Sequence, residues 1–113
     1  MKIIEVETLE DIICPNYYGC GAYEWCAENN EFHIGAKSGE RFYINFSKET
    51  RLSGKRKAKS FMKILKGENS KWSKDMLLFD TIDKCLEYKR GNGVRADIRK
   101  LRLIRELKQN NSK

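Results

Sequence analysis

The sequence has few of the residues and patterns that mark the common functional classes. Its 113 residues include one proline, one histidine and four cysteines. No apolar run approaches the ~20 residues that span a membrane. The N-terminus has neither the apolar segment nor the small-residue cleavage site of a secretory signal. We therefore expect a cytoplasmic protein whose cysteines remain thiols in a reducing environment.

Common catalytic motifs are also absent. The sequence contains no G-x-x-x-x-G-K-[ST] phosphate loop, no H-E-x-x-H metalloprotease pair and no G-x-S-x-G nucleophile elbow. We therefore expect a protein that is not an enzyme and that needs no cofactor.

What the sequence does have is an uneven distribution of charge. Residues 1–50 hold four Lys/Arg against nine Asp/Glu, a net charge of −5, whereas residues 51–113 hold nineteen against seven, a net charge of +12. Nucleic acid is the polyanion that a small basic domain most often meets. The split therefore favours nucleic-acid contact. The alternative is that the acidic half balances the basic half, or that the charge serves solubility.

The first half of the chain is predicted to form strands. Lys2–Val6 alternates in hydrophobicity and is rich in β-branched residues. Three further alternating runs follow at Ala22–Ala27, Glu31–Ala36 and Arg41–Phe46. The short polar connections between these three runs are typical of antiparallel neighbours and predict a three-stranded meander.

Between the first strand and the meander we expect irregular structure. Thr8 and Asp11 have the spacing of a weak capping box, which predicts one helical turn over Leu9–Ile13. A loop over Cys14–Gly21 should follow, because Pro15 and two glycines interrupt regular structure there.

After Ser47 the apolar period changes from two to 3.6, which predicts helices. The first follows Ser53 and Gly54, runs to about Lys66 and is closed by Gly67; the second spans Ser73–Arg90 and the third Val94–Gln109. The expected fold is therefore α+β. An N-terminal antiparallel sheet would be packed on one face by three C-terminal helices, in a single domain over residues 1–113.

Two groups of cations are the candidate nucleic-acid-binding residues. The first contains no acid between Arg51 and Lys66, so ion pairs within a helix cannot explain its charge, and spaced donors of this kind suit phosphate oxygens. The second lies on the last predicted helix, after a Gly91-Asn92-Gly93 turn, an arrangement similar to a helix-turn-helix but also common in ordinary helix pairs. The candidates are Arg51, Lys55, Arg56, Lys59, Lys63 and Lys66 in the first group, and Arg95, Arg99 and Arg102 in the second.

Four aromatic residues are candidates for stacking on unpaired bases or for contact with a protein partner. Stacking on an aromatic side chain contributes ~1–3 kcal/mol per base, and the same residue types are enriched in protein interfaces. The candidates are Tyr17, Tyr18, Tyr43 and Trp72.

Two further clusters raise the question of metal binding. Asp80, Asp83 and Glu87 share a face of the second predicted helix. Three such carboxylates can hold Mg²⁺. The alternatives are that they pair with basic helices, within the fold or in a homodimer, or that they are simply solvated. Three cysteines and the histidine lack the tight C-x2-4-C knuckle of structural zinc sites. We therefore assign no metal ligand and expect buried thiols, with zinc binding as a minor alternative. The residues concerned are Cys14, Cys20, Cys26 and His33.

The leading functional prediction is a small, non-enzymatic nucleic-acid-binding protein, for DNA or RNA. The alternative is an accessory or inhibitor protein of a phage or mobile element, similar in kind to anti-CRISPR proteins, that binds a nucleic-acid enzyme or nucleoprotein complex. The third is a metal-dependent or zinc-stabilised domain.

Overall fold

The computed structural model describes residues 2–14, 33–68 and 72–107. Four strands come first in these ranges, followed by two helices and then a mixture of strands and short helices, and two short 3₁₀ helices flank the sixth strand. The elements are β1 (Ile3–Thr8), β2 (Ile12–Cys14), β3 (His33–Ala36), β4 (Arg41–Asn45), α1 (Phe46–Thr50), α2 (Gly54–Leu65), β5 (Asp75–Leu78), α3 (Ile82–Glu87), a 3₁₀ helix (Arg90–Asn92), β6 (Val94–Asp97), a second 3₁₀ helix (Ile98–Lys100) and β7 (Leu101–Leu107).

β1 is the central strand of a three-stranded antiparallel sheet with the order β4-β1-β7. Ile4 and Val6 of β1 lie opposite Ile44 and Phe42 of β4, and all four side chains are buried. Ile3 is buried as well, although successive residues of a strand point to opposite faces. β1 is therefore covered on both faces. Its prediction as a strand is confirmed, as is that of Arg41–Phe46 up to Asn45.

The buried apolar residues form two clusters. The main core comprises Ile4, Val6, Ile12, Ala36, Phe42, Ile44, Phe46, Phe61, Leu65, Met76, Leu78, Ala96, Ile98 and Leu101. The second cluster comprises Ile3, Leu77, Phe79 and Cys85, with Tyr43, Tyr88 and Leu107 packed against it. The fold is thus a mixed α+β arrangement around a three-stranded antiparallel sheet, as expected in class. The predicted cover of three C-terminal helices is only partly present.

The predicted meander is wrong in its pairing. β3 pairs with β2, whereas β4 pairs with β1, so the two strands joined by the 37–40 turn belong to different sheets. Thr8 holds this turn against β1, because its hydroxyl donates to the Lys37 carbonyl at 2.7 Å and its carbonyl accepts from the Gly39 N–H at 2.8 Å. The predicted strand Glu31–Ala36 is confirmed in its described part, His33–Ala36, whereas Ala22–Ala27 lies outside the described residues.

The helical turn predicted over Leu9–Ile13 is also wrong, because Ile12–Cys14 is a strand. Both predicted capping residues bind the 37–40 turn instead. Besides the Thr8 contacts, the Asp11 carboxylate accepts a hydrogen bond from the Ser38 N–H at 2.8 Å. The two residues that resemble a capping box therefore stabilise a contact between residues 8–11 and the 37–40 turn, not a helix.

α2 confirms the first predicted helix. Phe61 and Leu65 of its apolar stripe are buried. The helix ends at Leu65 and is followed by Gly67, whose φ of +87° is the left-handed conformation that favours glycine. The Gly67 N–H donates to the Ile64 carbonyl at 2.9 Å and satisfies one of the last helical acceptors.

The second predicted helix, Ser73–Arg90, is wrong in its first half. Asp75–Leu78 is a strand, and only Ile82–Glu87 is helical, beginning where the Thr81 hydroxyl accepts a hydrogen bond from the Lys84 N–H at 3.1 Å. The apolar run 76–79 is buried throughout, with alternate residues in the two different clusters. A run buried on both faces carries no period of two, so the pattern did not distinguish strand from helix.

The third predicted helix, Val94–Gln109, is wrong in its described part, which consists of β6, the short 3₁₀ helix Ile98–Lys100 and β7. β6 pairs with β5 and β7 pairs with β1. The helix-turn-helix interpretation of the glycine turn is wrong for the same reason, since a strand follows Gly93.

A β-bulge in β7 explains why its sequence resembles a helix. Glu5 and Val6 of β1 lie opposite Arg105 and Leu103, so Ile104 is an extra residue. The bulge shifts the alternation of β7 by one position. As a result, arginines three positions apart lie on one face of a strand, a spacing otherwise typical of helices.

Within the described ranges, no helix has both the length and the apolar character required to cross a bilayer.

Candidate nucleic-acid interface

The first predicted group of cations lies on and around α2. At about 100° per residue, successive positions four apart shift by about 40° and remain on one side of a helix. Phe61 and Leu65 face the main core, and the cations occupy the exposed side. We call this group the basic stripe: Lys55, Arg56, Lys59, Lys63 and Lys66, with Arg51 before the helix.

The first turn of α2 has an unusual distribution of charge. Lys55, Arg56 and Lys57 follow one another there with no acidic residue, and the Ser53 side chain makes no capping hydrogen bond. The helix dipole makes this end positive, so cations destabilise it and anions stabilise it. The turn therefore favours a bound anion.

The ion pairs of the described residues all lie away from the basic stripe. No Asp or Glu in these residues pairs with a cation of α2. The pairs are Lys2–Glu106, Lys74–Glu49, Lys84–Asp80, Lys89–Glu87, Arg99–Asp97, Lys100–Glu10, Arg102–Glu7 and Arg105–Glu5. The two predicted groups of cations thus differ in their ion pairs: most of the second group is paired with carboxylates, and the first group is not paired with any described carboxylate.

Carboxylates neutralise most of the second group. Arg99 donates to Asp97 at 2.7 Å, and the guanidinium holds the pKa of that carboxyl below its usual range. Arg102 pairs with Glu7. Arg95 is half-buried on β6 and forms no ion pair with a described carboxylate. These residues do not share a helical face as predicted, because they lie on a strand, a 3₁₀ helix and a second strand.

An open cleft of about 310 Å³ lies between the C-terminal end of α2 and two arginines of the second group. The C-terminal end of α2 forms one wall, and the second group supplies two arginines to the other. The lining residues are Leu9, Ile64, Leu65, Gly67, Glu68, Arg99, Leu101 and Arg102.

The predicted aromatic contacts are separated by the fold. Trp72 lies beside α2, where the Lys57 Nζ is 4.7 Å from the ring centroid. Tyr43 is half-buried on β4 and packs against the second cluster instead. Tyr17 and Tyr18 lie outside the described residues. The Lys57–Trp72 contact was missed by sequence reasoning, because no periodicity relates residues fifteen positions apart.

The acidic group does not form a compact carboxylate site. Asp80 pairs with Lys84 at 3.2 Å and Glu87 pairs with Lys89 at 3.6 Å, all on exposed side chains. In the described part of the chain, no three His, Cys, Asp or Glu residues are grouped so that they could hold a metal ion.

The cysteines are placed only in part. The backbone register puts Cys14 of β2 directly opposite His33 of β3, whereas Cys20 and Cys26 lie outside the described residues. Cys85 is buried in the second cluster, and burial raises the pKa of its thiol to about 12. Cys85 is therefore a protonated core residue at neutral pH.

No protein-family model matches the sequence, and no match was found among curated proteins or solved structures. The geometry and charge of the chain's own residues are therefore the basis for a functional proposal.

Proposed function

We propose that this protein binds nucleic acid through the phosphate backbone and that the basic stripe of α2 is the contact surface. The observation that carries the proposal is the absence of carboxylate partners. The stripe has none among the described residues, whereas Arg99, Arg102 and Arg105 each have one. Cations without internal partners keep their charge available for an external polyanion.

The residue types of the stripe favour backbone contact over base reading. Lys59 and Lys63 are separated by one helical turn, a rise of about 6 Å, and present exposed ammonium groups in a row. Lysine acts as a point charge, without the planar fork that arginine offers to guanine. Binding should therefore depend on salt and show little sequence preference.

Arg95, Arg99 and Arg102 are proposed as secondary contacts. Arg99 and Arg102 reach the cleft at the end of α2, but each must exchange a carboxylate for a phosphate. Their net contribution should be smaller than that of the stripe, because the lost ion pair offsets part of the gain.

A charge-reversal experiment tests the assignment. Lys59→Glu/Lys63→Glu should abolish measurable binding to DNA and RNA, because it places two carboxylates in the middle of the stripe. Lys84→Glu/Lys89→Glu changes the net charge by the same amount. Both side chains are exposed, Lys84 in α3 and Lys89 two residues after it. This control should weaken binding only slightly. Equal losses in the two variants, or none in the first, would contradict the proposal.

A second function is proposed on the basis of α3. Ile82 and Leu86 are each 42% exposed, lie one turn apart and adjoin Asp83 and Glu87. An apolar pair bordered by acids suits a basic protein surface, such as that of a nucleic-acid enzyme, as expected of an accessory or inhibitor protein. Ile82→Asp/Leu86→Asp should abolish binding to such an identified, purified partner and leave nucleic-acid affinity unchanged. Retained partner binding would exclude this surface.

A zinc-stabilised domain remains the third proposal, favoured by the cross-strand pairing of Cys14 with His33. A tetrahedral zinc site needs ligands beyond these two residues. Elemental analysis of the full chain decides this proposal. About one zinc ion per chain would support it, and a small fraction of one would remove it.

A further inference from the structure

Trp72 is a large aromatic residue left partly in solvent beside the basic stripe. Its side chain is 44% exposed. The Lys57 Nζ lies 4.7 Å from its ring centroid, within the range of a cation–π contact. The contact orients the indole against the first turn of α2.

This position places an aromatic surface on the flank of α2 nearest to one candidate phosphate contact, Arg56. Lys57 directly follows Lys55 and Arg56, both exposed members of the stripe. At about 100° per residue, Lys57 lies on the flank of the helix adjoining Arg56. A nucleotide whose phosphate contacts Arg56 can therefore place its base on the side of α2 where Trp72 lies.

A stacking surface distinguishes single strands from duplexes. Bases in a duplex are stacked on their neighbours, so they offer no free face to an indole. Unpaired bases do, and a basic surface combined with an aromatic side chain is a common means of binding single strands. We propose that Trp72 stacks on an unpaired base and that the ligand of the basic stripe is single-stranded nucleic acid. This inference rests on the proposed function, which by itself does not choose between single strands and duplexes.

Tryptophan fluorescence and two substitutions test the inference. The probes are an oligothymidylate of about 12 nucleotides and a hairpin duplex of the same total charge. The oligothymidylate should quench the fluorescence of the wild-type protein. The chain has two tryptophans, Trp25 and Trp72, so Trp72→Phe identifies the source by removing the Trp72 signal while keeping an aromatic ring.

The affinities give the decisive readout. Trp72→Leu should weaken single-strand binding about 5- to 150-fold, the effect of losing one stacked base, with duplex affinity unchanged. Trp72→Phe should retain most of the single-strand affinity. Leu86→Ala removes a similarly exposed apolar side chain from α3 and should change neither affinity.

The outcomes separate the two levels of the proposal. If Trp72→Leu and Trp72→Phe bind both probes like the wild type while Lys59→Glu/Lys63→Glu does not bind, stacking is wrong and backbone binding stands. If Trp72→Leu weakens both probes equally, the single-strand preference is wrong. If the wild-type protein binds neither probe at low salt, both proposals are wrong. If Trp72→Leu does not fold, Trp72→Phe decides alone. Stacking is supported if this variant keeps its single-strand affinity but its fluorescence is no longer quenched by the oligothymidylate. Stacking is wrong if the quenching in this variant is the same as in the wild type.

Discussion

Arg102 of β7 pairs with the Glu7 carboxylate of β1, although the two residues are 95 positions apart in the chain. Three positions further along β7, beyond the bulge residue Ile104, Arg105 donates to Glu5 at 2.6 Å in the same way. The acidic N-terminal region thus neutralises the C-terminal strand within the sheet. The cations of α2 receive no such partner from the described residues, and this difference is the basis for assigning them to an external polyanion.

Removing one internal carboxylate should release a cation for the ligand. Glu7→Gln leaves Arg102 without its partner at the edge of the cleft. We expect higher affinity for single-stranded nucleic acid and a slope of log K against log[salt] that is steeper by up to about 0.7, the effect of one added phosphate contact on a single strand. Fluorescence anisotropy over a range of salt concentrations measures both.

Glu87→Gln is the matched control, because it likewise removes one carboxylate that is paired with a cation, here Lys89. An equal gain in both variants would show that net charge alone, and not Arg102, is responsible.

Gly93 should tolerate no side chain. A Cβ there would lie 2.9 Å from the Leu77 Cδ1 and 2.9 Å from the Leu78 carbonyl oxygen. Gly93→Ala should therefore lower the free energy of unfolding by about 1–3 kcal/mol, the usual cost of overpacking. Urea denaturation measures the change. Gly91→Ala is the control, since no atom lies within 4 Å of its added Cβ; equal losses in both variants would contradict the packing argument.

Tyr88 should stabilise the fold through a buried carboxylate. Its hydroxyl donates to Glu49 at 2.6 Å, and the same carboxylate accepts from the Leu77 N–H at 3.2 Å and pairs with Lys74. Tyr88→Phe should lower the free energy of unfolding by about 1.5–3 kcal/mol, the range for hydrogen bonds to charged groups. Nucleic-acid affinity should not change. A loss below about 0.5 kcal/mol, typical of surface substitutions, would contradict this role.

The same hydroxyl should make stability depend on alkaline pH. Burial, and then the hydrogen bond to Glu49, raise the pKa of Tyr88 above its ordinary value. Between the unfolded pKa of about 10 and the higher folded value, the unfolded state binds fewer protons, so stability falls as pH rises. Denaturation from about pH 8 to pH 11 should show this decline. Tyr88→Phe should decline less steeply, and an identical slope would contradict the assignment.

Local signals in the sequence were sufficient for α2. Its buried stripe ends at Leu65, and Gly67, in the left-handed conformation, follows and stops the helix. β1 and β4 were likewise visible because each alternates. In these elements the local pattern and the tertiary environment agree.

Other elements depend on contacts that the local pattern does not contain. Met76 and Leu77 are both buried, each in a different cluster, so β5 has no alternation. In β7, the bulge at Ile104 gives Arg102 and Arg105 a helical spacing on a strand. The candidate site was likewise predicted only in part. The cations of α2 were visible as a run without acids, whereas the neutralisation of Arg102 by Glu7 required the strand pairing.

The most direct test of the central claim is the salt dependence of binding to single-stranded nucleic acid, compared between the wild-type protein and Lys59→Gln/Lys63→Gln. Each phosphate contact on a single strand contributes about −0.7 to the slope of log K against log[salt]. We predict a steep negative slope for the wild type and a slope shallower by about 1.4 for the variant. Binding that is independent of salt, or equal slopes for the two proteins, would contradict the assignment of the basic stripe as a phosphate-binding surface.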